Sequence, residues 1–275
     1  MDVSMANDNS LRLGVSLRDS STPSSKAPGQ APKLILFDID GTLSTGGMFT
    51  KSLAIAIEDI LKQGITQSGL EERVKLGRTP RQELVLMADA AKVPRDKQDE
   101  VVEQILARAA THFKDELSAA PLTVFAGVAE FLGQLNVRDD IVLGIVTNNP
   151  KEIMQIKLDA GRLQGYFLSH GIMVCGDDGS SKSELVEVAI RKAQDALHLK
   201  LDRSRIFYFG DQVSDILAGK LAGVVAIGVA TGRSSFNELA DAGADHVLHD
   251  LSDVKSVMAI INGANAHIKH KQVKI

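Results

Sequence analysis

The stretch Leu34-Ile-Leu-Phe-Asp38-Ile-Asp40-Gly-Thr-Leu43 decides how the rest of the chain is interpreted. Its first four residues predict a short buried strand, because the apolar run is continuous and ends in turn chemistry. Two carboxylates come next, separated by one residue, and a glycine stands directly after the second. A strand end holds its side chains rigidly, so Asp38 is a candidate nucleophile or metal ligand. An ordinary solvated Asp-Gly turn would have the same local sequence, so the residues at the ends of the other strands decide between the two interpretations.

Length and composition exclude several classes of protein. The chain has 275 residues, 44% of them hydrophobic, which suits one large domain or two smaller ones with a sizeable core. A formal net charge of −4 argues against a nucleic-acid-binding protein, which is usually basic. No apolar run approaches the ~18 residues that span a bilayer, so we expect no membrane partner. The single cysteine, Cys175, excludes an intramolecular disulfide and favours a reducing, cytoplasmic location.

The two ends of the chain differ in composition from the rest. Residues 1–32 are rich in Ser, Asn, Asp, Gly and Pro with little periodicity, which predicts a disordered leader. Transit peptides are likewise rich in serine and arginine, but the aspartates of this segment argue against a transit peptide. Residues 266–275 alternate basic and apolar groups and predict a solvated tail.

Two patterns of apolar residues divide the chain between these ends. From 46 to 120 the apolar residues recur at helical spacing, which predicts an all-helical segment. From 121 onward short apolar strands alternate with helices, as in a parallel sheet covered by helices on both faces. The predicted strands are 141–146, 171–174, 206–209, 224–228 and 246–248, and the predicted helices are 128–135, 150–160, 183–197 and 214–221. With the strand at 34–37, they predict an α/β core of residues 33–45 and 121–265 with a helical cap, 46–120, inserted into it.

Polar residues stand after several of these strands. In an open parallel sheet the ligand crevice lies beyond the carboxyl ends of the strands. Thr147 and Asn148 come after the second strand, Asp211 and Asp215 come after the fourth, and Lys182 begins a helix after the third. Carboxylates crowded at one crevice would repel each other without a cation, and hard oxygen ligands suit Mg²⁺. A lysine, a hydroxyl and backbone N–H groups at a helix start suit phosphate oxygens, so these residues predict a site for Mg²⁺ and a phosphoryl group.

The order of these residues is that of a known set of motifs. Asp38-Ile-Asp40-Gly-Thr-Leu, Thr147-Asn, Lys182 and Gly210-Asp211-x-x-x-Asp215 resemble the four motifs of the haloacid dehalogenase (HAD) superfamily, over residues 33–257. The resemblance implies a Rossmann-like parallel sheet core with an inserted all-helical C1 cap, of the phosphoglycolate phosphatase-like kind. It also implies a phosphoric monoester hydrolase that uses Mg²⁺ to hydrolyse a small phosphorylated metabolite. Relatives that cleave carbon–halogen bonds lack the second aspartate, so Asp40 favours phosphoryl transfer.

The resemblance implies a role for each carboxylate. Asp38 would attack phosphorus and form an aspartyl-phosphate, and Asp40 would protonate the leaving oxygen and then activate water. Mg²⁺ would be held by the Asp38 carboxylate, the Asp40 backbone carbonyl and Asp211. Asp215 would be either a further ligand or a partner of the ligands.

The resemblance implies three phosphate-binding residues and one cap residue. Thr147, Asn148 and Lys182 would bind the transferring phosphoryl group and neutralise its charge. Lys182 lacks the adjoining proline usual in phosphoglycolate phosphatase relatives, so an ordinary solvated lysine is the alternative. In the cap, the segment from Gly77 to Arg81 resembles the loop by which relatives reach the core site. We expect Arg78 there to contact a second anionic group of the substrate, with a solvated arginine as the alternative.

Two other functions fit the same scaffold. Phosphosugar mutases of this family carry a histidine soon after the first motif, and none occurs between Thr45 and Gly64. A non-catalytic regulatory protein would not need the full set of chemical residues that is present. The sequence leaves open which phosphorylated substrate is used, and whether the protein is a monomer or a homodimer.

Overall fold

The computed structural model describes residues 32–45, 48–75 and 79–263. Residues 1–31 of the predicted leader and the whole predicted tail therefore lie outside the described residues. So does Arg78, the cap residue expected to contact the substrate. In the part of the chain that is described, no helix is both long enough and apolar enough to cross a membrane.

A parallel sheet of six strands forms the centre of the described chain. The strands are β1 (Lys33–Phe37), β2 (Ile141–Val146), β3 (Ile172–Val174), β4 (Ile206–Gly210), β5 (Val225–Val229) and β6 (His246–Leu248). They lie in the order β3-β2-β1-β4-β5-β6. All the predicted strands occur, with ends that differ from the prediction by at most one residue. The predicted α/β fold with a Rossmann-like parallel sheet is therefore confirmed.

Ten α-helices cover and extend this sheet within the described ranges. They are α1 (Met48–Leu61), α2 (Gln67–Lys75), α3 (Pro80–Ala90), α4 (Arg95–Ala119), α5 (Val128–Asn136), α6 (Lys151–Ala160), α7 (Lys182–Leu197), α8 (Val213–Leu221), α9 (Phe236–Asp241) and α10 (Val254–Ile261). Sequence periodicity did not predict α2, α9 and α10. α2 carries few apolar residues and α9 spans only 6 residues, so neither has a strong repeating pattern.

The central strand β1 joins two hydrophobic layers because its side chains alternate between the faces of the sheet. Ile35 and Phe37 pack in the layer that includes α5 and α10, whereas Leu34 and Leu36 pack in the layer that includes α7. The Phe37 ring stacks on Phe209 of β4 at a centroid distance of 4.9 Å. The carboxyl end of β1 is thereby fixed against its neighbour, and the residues beyond it start from a rigid position.

The helices α1–α4 form a separate layer between β1 and β2 in the chain. They share their own hydrophobic cluster, in which Phe49, Leu53 and Phe113 are buried. One core residue, Ile153 of α6, belongs to the same cluster and seats the helical layer on the sheet. The inserted helical cap is thus present, and its division from the core at residues 46 and 120 stays a prediction.

Gly144 of β2 lies where the central strands pack too closely for a side chain. An added Cβ would come within 2.8 Å of the Ile172 and Leu36 side chains. We expect Gly144→Ala to lower the free energy of unfolding by about 1–3 kcal/mol, because overpacking a dense core forces its neighbours apart. Urea denaturation measures the change.

Gly133 of α5 is the matched control, because an added Cβ there has nothing within 4 Å. Gly133→Ala should raise the free energy of unfolding by about 0.5–1 kcal/mol, since alanine favours a helix interior over glycine. Equal effects of the two substitutions would contradict the close packing around Gly144.

Candidate active site

Three carboxylates meet at the carboxyl edge of the sheet. Asp38 comes directly after β1, Asp211 comes directly after β4, and Asp215 lies in the first turn of α8. Each offers an oxygen within 4.8 Å of the other two. Their exposed fractions are 3%, 0% and 1%. The structure therefore brings together the acids that the sequence located after the first and fourth strands, and it buries them.

Lys182 balances part of this negative charge. Its Nζ lies 2.7 Å from Asp38 Oδ1 and 3.1 Å from Asp215 Oδ1. Lys182 is the first residue of α7, whose start is capped by the Ser181 hydroxyl. Burial alone would lower the pKa of Lys182, but the Asp215 and Asp38 carboxylates raise it above its ordinary value. The alternative of a solvated lysine at a helix start is therefore wrong, because this ammonium is buried and paired.

The cluster still carries more negative than positive charge. Burial raises the pKa of Asp38 above its ordinary value, and the Lys182 ammonium opposes that rise. Burial also raises the pKa of Asp211, and the neighbouring Asp215 and Asp38 carboxylates add to the effect. Such raised values mean that removal from water and mutual repulsion outweigh the one cation present.

Asp211 and Asp215 differ in how their oxygens are satisfied. Asp211 Oδ2 accepts a hydrogen bond of 2.8 Å from the Arg233 backbone N–H. Asp211 Oδ1 is buried and has no hydrogen-bond partner among the described residues. In Asp215, Oδ1 accepts from the Tyr208 hydroxyl and Oδ2 accepts from the Gln212 backbone N–H.

A divalent cation fits this donor set. An unpaired buried carboxylate oxygen is costly, and a hard cation prefers oxygen ligands of this kind. Asp38 and Asp211 are therefore the carboxylates best suited to hold a metal ion, and Asp215 is already engaged by protein donors.

The Asp211 carboxylate packs against two glycines, where there is no room for a side chain. A Cβ added at Gly41, where φ is +82°, or at Gly232 would clash with the Asp211 carboxylate. The Thr231 hydroxyl donates a hydrogen bond of 2.6 Å to the Gly41 carbonyl and so ties the two loops together.

The loop after β5 was not recognised from the sequence. Its signal was available, because Thr231 and Gly232 lie just beyond a strand end as the other site residues do.

Thr147 and Asn148 lie at the end of β2, on the same edge of the sheet. The Thr147 backbone N–H donates to the Val174 carbonyl at 3.0 Å, which continues the β2–β3 pairing. Its hydroxyl oxygen accepts from the Asn149 side-chain amide at 2.8 Å. Asn148 lines the same cavity as Asp38 and Lys182.

Asp40 pairs with groups outside the cluster of three carboxylates. Lys157 Nζ lies 2.6 Å from both of its carboxylate oxygens, and the Asn149 amide donates to it at 2.7 Å. The Asp40 side chain is 27% exposed, unlike the carboxylates of the buried cluster. Sequence reasoning missed Lys157 and the contact from Asn149. The available signal was a lysine on the buried face of α6, beside Met154 and Leu158.

A cavity of about 390 Å³ opens above these residues, between the core and the helical cap. From the cap it is lined by Phe49, Thr50, Leu53 and Pro80, so the cap side is largely apolar in the described residues. Arg81 of α3 links the cap to the core, because its Nε donates a hydrogen bond of 2.9 Å to Asp177.

The chain is similar in sequence and in fold to several known proteins. Phosphoglycolate phosphatase of Pseudomonas fluorescens (strain Pf0-1) is 27% identical to this chain over 227 residues, which cover 82% of the chain and 79% of that protein. The crystal structure of a hydrolase from Pseudomonas syringae has a TM-score of 0.60 at 20% identity, covering 83% of this chain and 99% of that one. The crystal structure of CbbY from Rhodobacter sphaeroides in complex with phosphate has a TM-score of 0.61 at 16% identity, covering 82% of this chain and 96% of that one. At these identities the two structures bear on the fold alone.

A protein-family model described as haloacid dehalogenase-like hydrolase matches residues 32–223. This match spans more than half of the chain and includes all the strand ends that carry the predicted site residues. On the sequence match and on the shared fold, the chain belongs to the haloacid dehalogenase-like hydrolase family.

Proposed function

We propose that the protein is a Mg²⁺-dependent phosphatase that hydrolyses a small phosphorylated metabolite through an aspartyl-phosphate on Asp38. The observation that carries this proposal is the contrast between the two carboxylates of the first motif. Asp38 is buried against Lys182 in the acidic cluster, whereas Asp40 lies partly exposed beside the same cavity. This division suits one residue as nucleophile and the other as acid and base.

The relatives named phosphoglycolate phosphatase support the same reaction class. We also propose a cytoplasmic location, because the single cysteine favours a reducing compartment.

Asp38, Asp211 and the Asp40 backbone carbonyl would hold the metal ion. When bound there, Mg²⁺ supplies positive charge that offsets the repulsion between Asp38 and the oxygens of an incoming phosphate. We assign Asp215 to Lys182 rather than to the metal, because both Asp215 oxygens already accept hydrogen bonds. Its role is then to keep Lys182 charged and aimed at the Asp38 carboxylate.

The first step transfers the phosphoryl group to the enzyme. An Asp38 carboxylate oxygen forms a bond to phosphorus while the bond from phosphorus to the leaving oxygen breaks, and Asp40 gives that oxygen a proton. Lys182, the Thr147 hydroxyl and Asn148 border the site of transfer and would stabilise the charge on the phosphoryl oxygens. The products of this step are the free alcohol and the aspartyl-phosphate.

The second step returns the enzyme to its starting state. Asp40, now a carboxylate, takes a proton from a water molecule while the water oxygen bonds to phosphorus. The bond between phosphorus and Asp38 breaks, and inorganic phosphate leaves. The apolar cap residues Phe49, Leu53 and Pro80 would limit the access of other water molecules during the reaction.

Asp38→Asn tests the nucleophile. We expect kcat for phosphate release to fall at least about 1,000-fold, because an amide cannot form the aspartyl-phosphate. The assay measures phosphate released with Mg²⁺ from a panel of phosphomonoesters that includes 2-phosphoglycolate. The control is Asp241→Asn, the same change at an exposed position in α9. Wild-type activity in Asp38→Asn would show that the nucleophile is a different residue.

Asp211→Asn tests the metal site by stability rather than by activity. We expect Mg²⁺ to raise the Tm of the wild-type protein, with about 2.7 kcal/mol of stabilisation at a concentration 100 times Kd. Asp211→Asn should abolish this shift. It should also raise the Tm of the metal-free protein, because it removes a buried negative charge that the Asp215 and Asp38 carboxylates repel.

Thermal unfolding with and without Mg²⁺ gives both results, and Asp241→Asn should behave as the wild type. An Asp211→Asn protein that Mg²⁺ stabilises as strongly as the wild type would contradict the proposed ligand set.

A further inference from the structure

Lys157 of α6 is a buried cation that the four motifs do not include. We infer that Lys157 is a positioning residue that holds the Asp40 carboxylate in place for proton transfer, beneath the helical cap. This inference rests on the proposed phosphatase function, in which Asp40 acts on the leaving oxygen. It assigns to α6 a part in the chemistry that neither a strand end nor a motif predicts.

The contacts of Lys157 restrain the Asp40 carboxylate at both oxygens. Lys157 Nζ is 2.6 Å from Asp40 Oδ1, 2.6 Å from Oδ2 and 3.1 Å from Asn149 Oδ1. The Asn149 amide in turn donates to Asp40 Oδ2 and to the Thr147 hydroxyl oxygen. The carboxylate of Asp40 is therefore fixed relative to Thr147, a proposed phosphate-binding residue.

The burial of Lys157 argues for a role beyond stability. Its side chain is only 2% exposed, and its neighbours on the buried face of α6 are Ile153, Met154 and Leu158. Burying an ammonium is costly, and a buried ion pair often stabilises a fold no more than an apolar side chain of similar size. A methionine at this position would match the rest of that face, so the charge itself needs an explanation. Asp40 is the ion-pair partner of Lys157 within the described ranges.

The cap covers the other side of Lys157. Its Nζ lies 5.4 Å from the centroid of the Phe113 ring of α4, within the range of a cation–π contact. Phe113 packs edge-to-face on Phe49, which lines the cavity. Lys157 therefore contacts the cap and the proposed acid at once. The position of Asp40 then depends on how the cap is seated.

A purely structural role for Lys157 makes a different prediction from a positioning role. A group that only stabilises the fold affects all substrates alike. A group that positions Asp40 affects the transfer to Asp38 only when the leaving oxygen needs a proton. Alkyl phosphates need that proton, whereas p-nitrophenolate leaves without one. The ratio of kcat/KM for the two kinds of substrate therefore separates the two roles, because kcat/KM covers the steps up to that transfer.

The test compares Lys157→Met with Lys114→Met. Lys114 lies on α4 and pairs with Glu152 of α6 at 2.8 Å, so its substitution removes an exposed cation between the same two helices. In Lys157→Met we expect kcat/KM to fall about 100-fold for an alkyl phosphate and less than about 3-fold for p-nitrophenyl phosphate. Lys114→Met should leave the ratio of the two values unchanged.

A double-mutant cycle shows whether Lys157 acts through Asp40. In the Asp40→Asn protein, Lys157→Met should cause no further loss of kcat/KM with the alkyl phosphate, because the group that it positions is already absent. Equal losses on both substrates in the single variant, or additive losses in the cycle, would overturn the inference.

Folding is checked by thermal unfolding of each variant. If Lys157→Met does not fold, Lys157→Gln carries the same substrate comparison, since its amide can still donate one hydrogen bond. Failure of both variants to fold would assign Lys157 a structural role and overturn the inference. A wild-type protein that hydrolyses neither substrate would instead refute the proposed function. Wild-type turnover with an unchanged substrate ratio in Lys157→Met would refute only the role of Lys157.

Discussion

The crowding of three buried carboxylates around one ammonium is the interaction on which the rest of the site depends. Asp38, Asp211 and Asp215 each offer an oxygen within 4.8 Å of the other two, and Lys182 neutralises only part of their charge. The parallel sheet makes this arrangement possible, because β1 and β4 pair in register up to Phe37 and Phe209 and end side by side. A fold that brings such charges together requires a counter-charge, and in the proposed function a divalent cation supplies it.

The second carboxylate of the first motif has a different environment, and the proposed mechanism depends on that difference. Two residues beyond Asp38 the chain has left the sheet, and Asp40 faces Lys157 and Asn149 instead of the acidic cluster. In the proposed mechanism the first carboxylate attacks phosphorus, and the second exchanges a proton with the leaving group and with water. The cap closes over both, through the contact of Phe113 with Lys157 and the apolar side chains that line the cavity.

The sequence predicted those parts of the site that depend on strand ends. Continuous apolar runs identified the strands, and parallel topology then required Asp38, Thr147 and Asp211 to meet at one edge. Lys157 and Tyr208 were missed because they reach the site from a helix face and from within a strand, and not from a strand end. α2 was missed because its residues are mostly polar, and packing against α1 and α3 rather than its own pattern fixes it.

The proposed mechanism is tested most directly by identifying the residue that carries the phosphoryl group during turnover. The enzyme is quenched in acid while it hydrolyses a phosphomonoester with Mg²⁺, and its peptides are mapped by mass spectrometry. We expect a phosphoryl group on the peptide that contains Asp38, and its absence from the same peptide of Asp38→Asn. A phosphoryl group on a different residue, or turnover without any phosphorylated enzyme, would contradict the assignment of Asp38 as the nucleophile.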